Sequence, residues 1–319
     1  QPLKNLQSRD FIDKNGESTF IDDTEYFFKH ILIQEVTYNS ILNKVRIEIH
    51  KNVAFFIEKK FSKIDQFIAL LAFHFEKGNV LDKAASYYFK LGVRQKEKYL
   101  NKEALKSFEK VLGYWELVEP ETVFKTYDNI ANIHQTIGRN RDALKIYDKI
   151  QDMAEGNKQK FNLFLNSGNT YQRISEYENA LKYYNQAESI LESDWVIQSL
   201  KLNNAYAWVY YLQGNYEKLK EYSDISLKII ESKKDDIEDK ELEDIKTEIY
   251  NFLGIYFGEM GKNLKALSYY KKIEEIYLKQ NKYLFLDACY NNMGTIYSTI
   301  GELGKALEVY NKSEDLRRE

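Results

Sequence analysis

Proline is almost missing from this chain, with two in 319 residues, and only fourteen glycines accompany them. So little punctuation leaves long segments free to run as helix, and the abundance of Lys, Glu, Leu, Ile and Tyr favours it. A single cysteine excludes an internal disulfide framework and fits a reducing compartment, so a cytoplasmic location is expected. No apolar stretch approaches the ~18 residues of a membrane span, and no membrane contact is expected. The net charge of −3 gives no concentrated basic face, so no nucleic-acid contact is expected. Neither an initiating Met nor a signal peptide precedes Gln1, and the sequence is expected to be a fragment.

What the chain has instead is self-similarity. The phrase Leu253-Gly254-x-x-Phe257, Gly261, Ala266, Tyr270, Ile273 returns as Met293-Gly294-x-x-Tyr297, Gly301, Ala306, Tyr310, Ser313. Upstream it reads Ser167-Gly168-x-x-Tyr171, Ala180, Tyr184, Ala187, and before that Ile130-Ala131-x-x-His134, Gly138, Ala143, Tyr147, Ile150. Small and aromatic slots in fixed order predict stacked helical hairpins. The alanine slot falls at Ala143, Ala180, Leu219, Ala266 and Ala306, at spacings of 37, 39, 47 and 40 residues. A small residue in the first helix should admit the second closely. Gly138, Gly214, Gly261 and Gly301 should end first helices in a left-handed cap. The alanine and the aromatic four residues later should form the ridge against the next repeat. Leu219, Ser223 and Ser226 depart from the pattern, so that repeat is expected to pack differently. The longest spacing holds an acidic segment, residues 231–244, read as a solvated loop or helix extension.

Before the repeats, Phe11-Ile12, Lys14-Asn15-Gly16, Thr19-Phe20-Ile21 and Tyr26-Phe27-Phe28 read as a small β-ribbon. Helices are expected from His30 to about Leu42 and from Val45 to Phe61. Others should cover Ala69 to Glu76, start at Asp82, and follow an Asn101 cap. The division is residues 1–62 against residues 63–319.

The recurring slots resemble the tetratricopeptide repeat, over about residues 65 to 319, although the repeat-ending proline of that family is missing nearly everywhere. A second resemblance lies in Tyr26-Phe-Phe-Lys-His-Ile-Leu-Ile-Gln-Glu-Val-Thr-Tyr-Asn-Ser-Ile-Leu42 with Arg46, Ile49, His50, Val53 and Ala54. It is similar to the segment joining the nucleotide-binding module of large signal-transduction ATPases to their helical repeats. That group includes multidomain adenylate/guanylate cyclases and MalT-like transcription regulators. The resemblance implies that residues 1–62 are a winged-helix remnant with hinge helices, and that any ATPase or cyclase domain lies before Gln1. The fold class expected is all-α: a tetratricopeptide-like α-solenoid, a right-handed superhelix of about seven hairpins, with a small N-terminal winged-helix remnant.

Catalytic patterns fail inspection. Gly258-Glu-Met-Gly261-Lys262-Asn263 lacks the first glycine and the hydroxyl residue of a phosphate loop. There is no His-Glu-x-x-His and no cysteine pair, so no metal, cofactor or enzymatic activity is expected. Cys289 reads as a buried small hydrophobe and the four histidines as structural, with His30 and His50 a conceivable pH-sensing pair. The informative polar residues are asparagines, which helix propensity does not favour. Flanking the first-helix motifs stand Asn129, Asn132, Asn166, Asn169, Asn204, Asn251 and Asn292, with Arg173 one turn on. An amide offers donor and acceptor together, which suits the backbone of an extended peptide. Such grooves resemble those of kinesin light chains and bacterial peptide-sensing regulators. The expected function is a protein-interaction scaffold, the sensor arm of a larger signalling ATPase or cyclase, holding a protein or peptide ligand. The alternative is a small-molecule sensor of MalT type with a closed aromatic pocket near Trp195, Trp208 and Tyr211. A carboxylate clamp would need Lys125, Lys201 and Arg173. Partner identity and oligomeric state are not encoded in these patterns.

Overall fold

The structure is a computed structural model that describes residues 2–16, 24–61, 64–232 and 240–318. Among these residues it is all-α apart from one two-stranded ribbon, and it divides into two compact units, residues 1–133 and 134–319. The N-terminal part runs α1 (Pro2–Ser8), β1 (Ile12–Lys14), β2 (Tyr26–Phe28), α2 (Ile31–Ser40) and α3 (Asn43–Lys60). The ribbon is antiparallel, with Ile12 opposite Phe28 and Lys14 opposite Tyr26. The Thr19–Ile21 stretch read into it lies outside the described residues, as do residues 233–239 of the acidic segment.

The first unit continues with α4 (Ile68–Lys77), α5 (Leu81–Glu97) and α6 (Asn101–Gly113), each packed on its neighbour. Ala54 and Ile57 of α3 meet Leu71, Ala72 and Phe75 of α4 and Ala84 and Tyr87 of α5 in one apolar cluster. Asn101 proves to be the first residue of α6 rather than its cap. Leu100 holds that position without a side-chain capping bond, because Tyr99 takes the left-handed turn (φ 58°) one residue earlier. Pro120 opens α7 (Pro120–Thr136), where its missing N–H costs nothing and its fixed φ suits the first turn.

The second unit contains α8 (Asn140–Ile150), then the hairpins α9 (Gly156–Arg173) with α10 (Tyr177–Ser189), and α11 (Val196–Leu212) with α12 (Tyr216–Ser232). The hairpins α13 (Lys240–Glu259) with α14 (Asn263–Lys279) and α15 (Leu286–Thr299) with α16 (Leu303–Arg318) complete it. Gly138, Gly214, Gly261 and Gly301 have φ of 79°, 70°, 69° and 82°, the left-handed caps expected of them. At all four turns the following N–H closes back onto the helix, Arg139 to His134, Asn215 to Tyr210, Lys262 to Phe257 and Glu302 to Tyr297, at 2.8–2.9 Å. Ser175 makes the same turn at φ 62° without being glycine.

The alanine slots are buried as the repeat requires, Ala143, Ala180 and Ala266 completely. The aromatic four residues later does more than meet the next repeat, because it lies across the glycine of its own hairpin. A Cβ added at Gly254 would stand 2.7 Å from Tyr270, and one at Gly294 2.5 Å from Tyr310. Gly168 faces Tyr184 in the same way. Gly92 faces Phe108, so α5 and α6 form a hairpin of this type too. In the irregular repeat Ser223 is buried where the ring would sit, and the neighbouring Tyr222 supplies one, stacked on Tyr206 at 4.7 Å between centroids.

Candidate functional site

Several of the groove asparagines are occupied inside the protein. Asn129 Oδ1 accepts a hydrogen bond from Lys96 Nζ (2.8 Å), and its amide donates to the Lys125 carbonyl one turn back. The Asn132 amide donates to the Asp128 carbonyl. Asn169 Oδ1 accepts from the Tyr184 hydroxyl at 2.8 Å, tying the ring already locked over Gly168 to the first helix. Asn204 is buried and donates to Glu248 Oε2 at 2.8 Å. Asn166 is half-buried; its main-chain carbonyl accepts from Gln135 Nε2 and the Thr170 hydroxyl. Arg173 is exposed. The clamp lysines have acidic neighbours instead: Lys125 pairs with Glu121 and Lys201 with Glu241.

Two of the eight, Asn251 and Asn292, line one cavity of about 320 Å³ in the second unit. Helix α13 contributes Thr247, Glu248 and Asn251; α14 contributes Ile273 and Tyr277. The short turn Tyr283–Phe285 adds Leu284 and Phe285, and α15 adds Asp287, Ala288, Cys289 and Asn292. Spacing of three residues places Glu248 and Asn251 on one face of α13. The Asn292 amide donates to Asn251 Oδ1 over 3.3 Å, a long bond that engages neither Asn251 Nδ2 nor Asn292 Oδ1. The wall is fixed by the Tyr277 hydroxyl on Thr247 Oγ1 (3.2 Å) and by the Lys282–Asp244 ion pair. Leu284 and Phe285 are 75% and 60% exposed, so the rim presents apolar surface to whatever enters.

The cavity's two carboxylates differ. The Ser313 hydroxyl donates to Asp287, and Arg317 Nε donates to it at 2.8 Å. The Ser313 bond lowers its pKa most, burial opposes, and Arg317 adds both a hydrogen bond and a charge. Glu248 is open to solvent yet sits in a recess that displaces much of its water, and this desolvation raises its pKa. The Asn204 bond works the other way, Asp244 adds repulsion, and Lys201 offsets part of it. A larger recess of about 460 Å³ in the first unit is lined by Asp65, Lys90, Arg94 and Glu97, whose charges balance one another.

Sequence reasoning named Asn251 and Asn292 but missed Glu248, Tyr277, Phe285 and Asp287. Glu248 was within reach, since it stands one turn before Asn251 on the same face. The expected histidine pair changes partner: His30 is exposed, whereas His50 Nδ1 meets His74 Nδ1 at 2.9 Å and His50 Nε2 meets the Tyr38 hydroxyl at 3.0 Å. Cys289 is buried, its thiol donating to the Tyr270 carbonyl at 3.2 Å, and burial pushes its pKa up to about 12, far from nucleophile range. Trp195 packs edge-on against Phe161, while Trp208 packs against Tyr211 and Phe252. Thirteen helical residues, about 20 Å of rise, separate the two tryptophans. Among the described residues no group of three or more His, Cys, Asp or Glu is arranged to hold a metal, and no helix is long and apolar enough to cross a membrane.

The family model described as tetratricopeptide repeat matches residues 122–193, which hold α8–α10, and 247–319, which run from within α13 through α16. No curated protein sequence matches the chain. Among solved structures, the Cut9–Hcn1 hetero-tetramer of the APC/C is 12% identical with a TM-score of 0.60, covering 90% of this chain and 52% of that one. Aspartyl phosphate phosphatase F from Bacillus subtilis is 17% identical with a TM-score of 0.57, covering 91% and 75%. A tetratricopeptide repeat protein from Parabacteroides merdae is 16% identical with a TM-score of 0.56, covering 85% and 93%. At these identities the likeness is one of fold, that of an all-helical tetratricopeptide-type solenoid.

Proposed function

We propose that this tetratricopeptide-repeat protein is an interaction scaffold that holds an extended peptide or protein segment across the cleft between α13, α14 and α15. The observation carrying the reading is that cleft: two amides with free donor and acceptor positions beside an exposed Leu284–Phe285 rim. Amides can pair with a guest backbone while the rim takes its side chains, the usual division of labour in peptide grooves. Asn129, Asn169 and Asn204 tie neighbouring helices together and keep the first-helix face rigid, which lowers the entropy lost on binding.

Residues 1–62 then serve as the hinge toward a signalling ATPase or nucleotide cyclase module, a reading supported by the Tyr26–Leu42 resemblance and the helix-flanked ribbon. Reading the genomic sequence upstream of Gln1 tests that context directly. The groove is tested by fluorescence anisotropy with randomised hexapeptide pools. Pool binding in the micromolar range is expected, weakened about tenfold (about 1.4 kcal/mol) by the pair Asn251→Ala and Asn292→Ala. The bracing substitution Asn132→Ala should leave binding unchanged. Equal binding by wild type and the cleft pair would remove the cleft from the function.

A further inference from the structure

The same cleft has an electrostatic deficit that selects its guest. Of its two carboxylates, Asp287 is neutralised by Arg317. Glu248 receives a neutral amide, Asn204, on one oxygen, and no Lys, Arg or His among the described residues forms an ion pair with it. Lys201, whose charge acts on Glu248, is paired with Glu241, and Lys282 is paired with Asp244. The cleft therefore carries a carboxylate without an ion-pair partner, its charge only partly offset by Lys201, in a recess where a matching cation interacts more strongly than in open water. The surroundings suit the rest of a long basic side chain. Ile273 and Leu284 offer an aliphatic wall for its methylenes; the Phe285 ring, already packed on Tyr277 and overlain by Lys282 Nζ, adds apolar contact at the rim. Asn292, lining the same cavity, offers a second acceptor, which suits the several donors of a planar guanidinium.

Resting on the peptide-groove reading above, we infer that this cleft is a specificity pocket for a basic residue of the guest, arginine before lysine, with Glu248 as its counter-ion. Burial of that charge pair should contribute more to discrimination than to the overall affinity.

The test uses positional hexapeptide pools on the intact chain, with arginine, lysine, norleucine or glutamate fixed at one position and the others randomised. At pH 7 the arginine pool should bind at least about tenfold more tightly than the norleucine pool, with glutamate weakest. Glu248→Gln keeps an acceptor for Asn204, so the fold should survive, which an unchanged thermal midpoint verifies. That variant should bind the arginine and norleucine pools alike while retaining the norleucine affinity. The arginine preference of wild type should also fade as pH falls and Glu248 protonates, beginning above the ordinary carboxylate range. If wild type binds every pool equally and the Asn251/Asn292 variant still loses them, the groove stands and the basic pocket is overturned. If an arginine preference persists unchanged in Glu248→Gln, the counter-ion assignment is overturned. If no pool binds, both readings fall.

Discussion

At the residue scale, what holds each hairpin together is a missing side chain. Tyr270 is almost fully buried and has no room to yield, so a methyl group at Gly254 must displace it. Gly254→Ala should destabilise the protein by ~1–3 kcal/mol despite alanine's better helix propensity. Gly304, in the first turn of α16, has nothing within 4 Å of its added Cβ, and Gly304→Ala should be neutral or stabilising by up to ~1 kcal/mol. Urea unfolding of both variants checks the contrast, and a stabilised Gly254→Ala would contradict the lock. These positions were legible in the sequence because the small residue, the left-handed glycine and the alanine are each a local requirement. Helices α5 and α6 were both expected, but their pairing as a hairpin across Gly92 was not, for the same reason reversed. Its left-handed turn falls to Tyr99 and its small slot, Gly92, lacks the aromatic three residues on, so the usual punctuation is absent.

At the scale of elements, α3 and α4 are joined by titratable groups. His50 and His74 share one hydrogen bond between Nδ1 atoms, so one ring must stay an acceptor. Burial lowers the pKa of His74 to about 4, with the neighbouring His50 adding to the effect; burial, Lys77 and Arg46 lower that of His50. A depressed histidine means the unfolded chain takes up protons first, so stability is intact above about pH 6.5 and lost progressively below it. Glu76 is opposed by burial but held ionised by Lys110, Tyr114 and Tyr88, and Glu58 likewise by Lys83 and Tyr87. Their contribution is present above the ordinary glutamate range and disappears as pH falls through their lowered values. Hydrogen exchange in α3 and α4 should therefore accelerate between pH 7 and pH 5, after correction for intrinsic rates. His74→Gln, which keeps a hydrogen-bonding group without the titration, should flatten that dependence. An unchanged profile would rule out the histidine pair as its source. The sequence pointed to His50 but to the wrong partner, because twenty-four residues separate it from His74 and the two carry no shared motif.

At the scale of the whole molecule, the repeat class and its all-helical character were readable because, within each unit, contacts run mainly between helices that are neighbours in sequence. The cleft was only half readable. It draws residues from two successive hairpins and from the Tyr283–Phe285 turn, and periodicity marks what repeats rather than what converges. Its back wall holds Cys289, the sole cysteine of the chain, pressed between α14 and α15 with its thiol on the Tyr270 carbonyl. That placement makes the sulfur a natural stopwatch for unzipping of the C-terminal hairpin. Ellman's reagent should react about a thousandfold or more slowly with the folded chain than with the urea-unfolded chain. Gly294→Ala should quicken the colour change, and a saturating arginine-bearing peptide should slow it. A chromophore released as fast from native as from unfolded protein would mean that the last two helices are not latched at all.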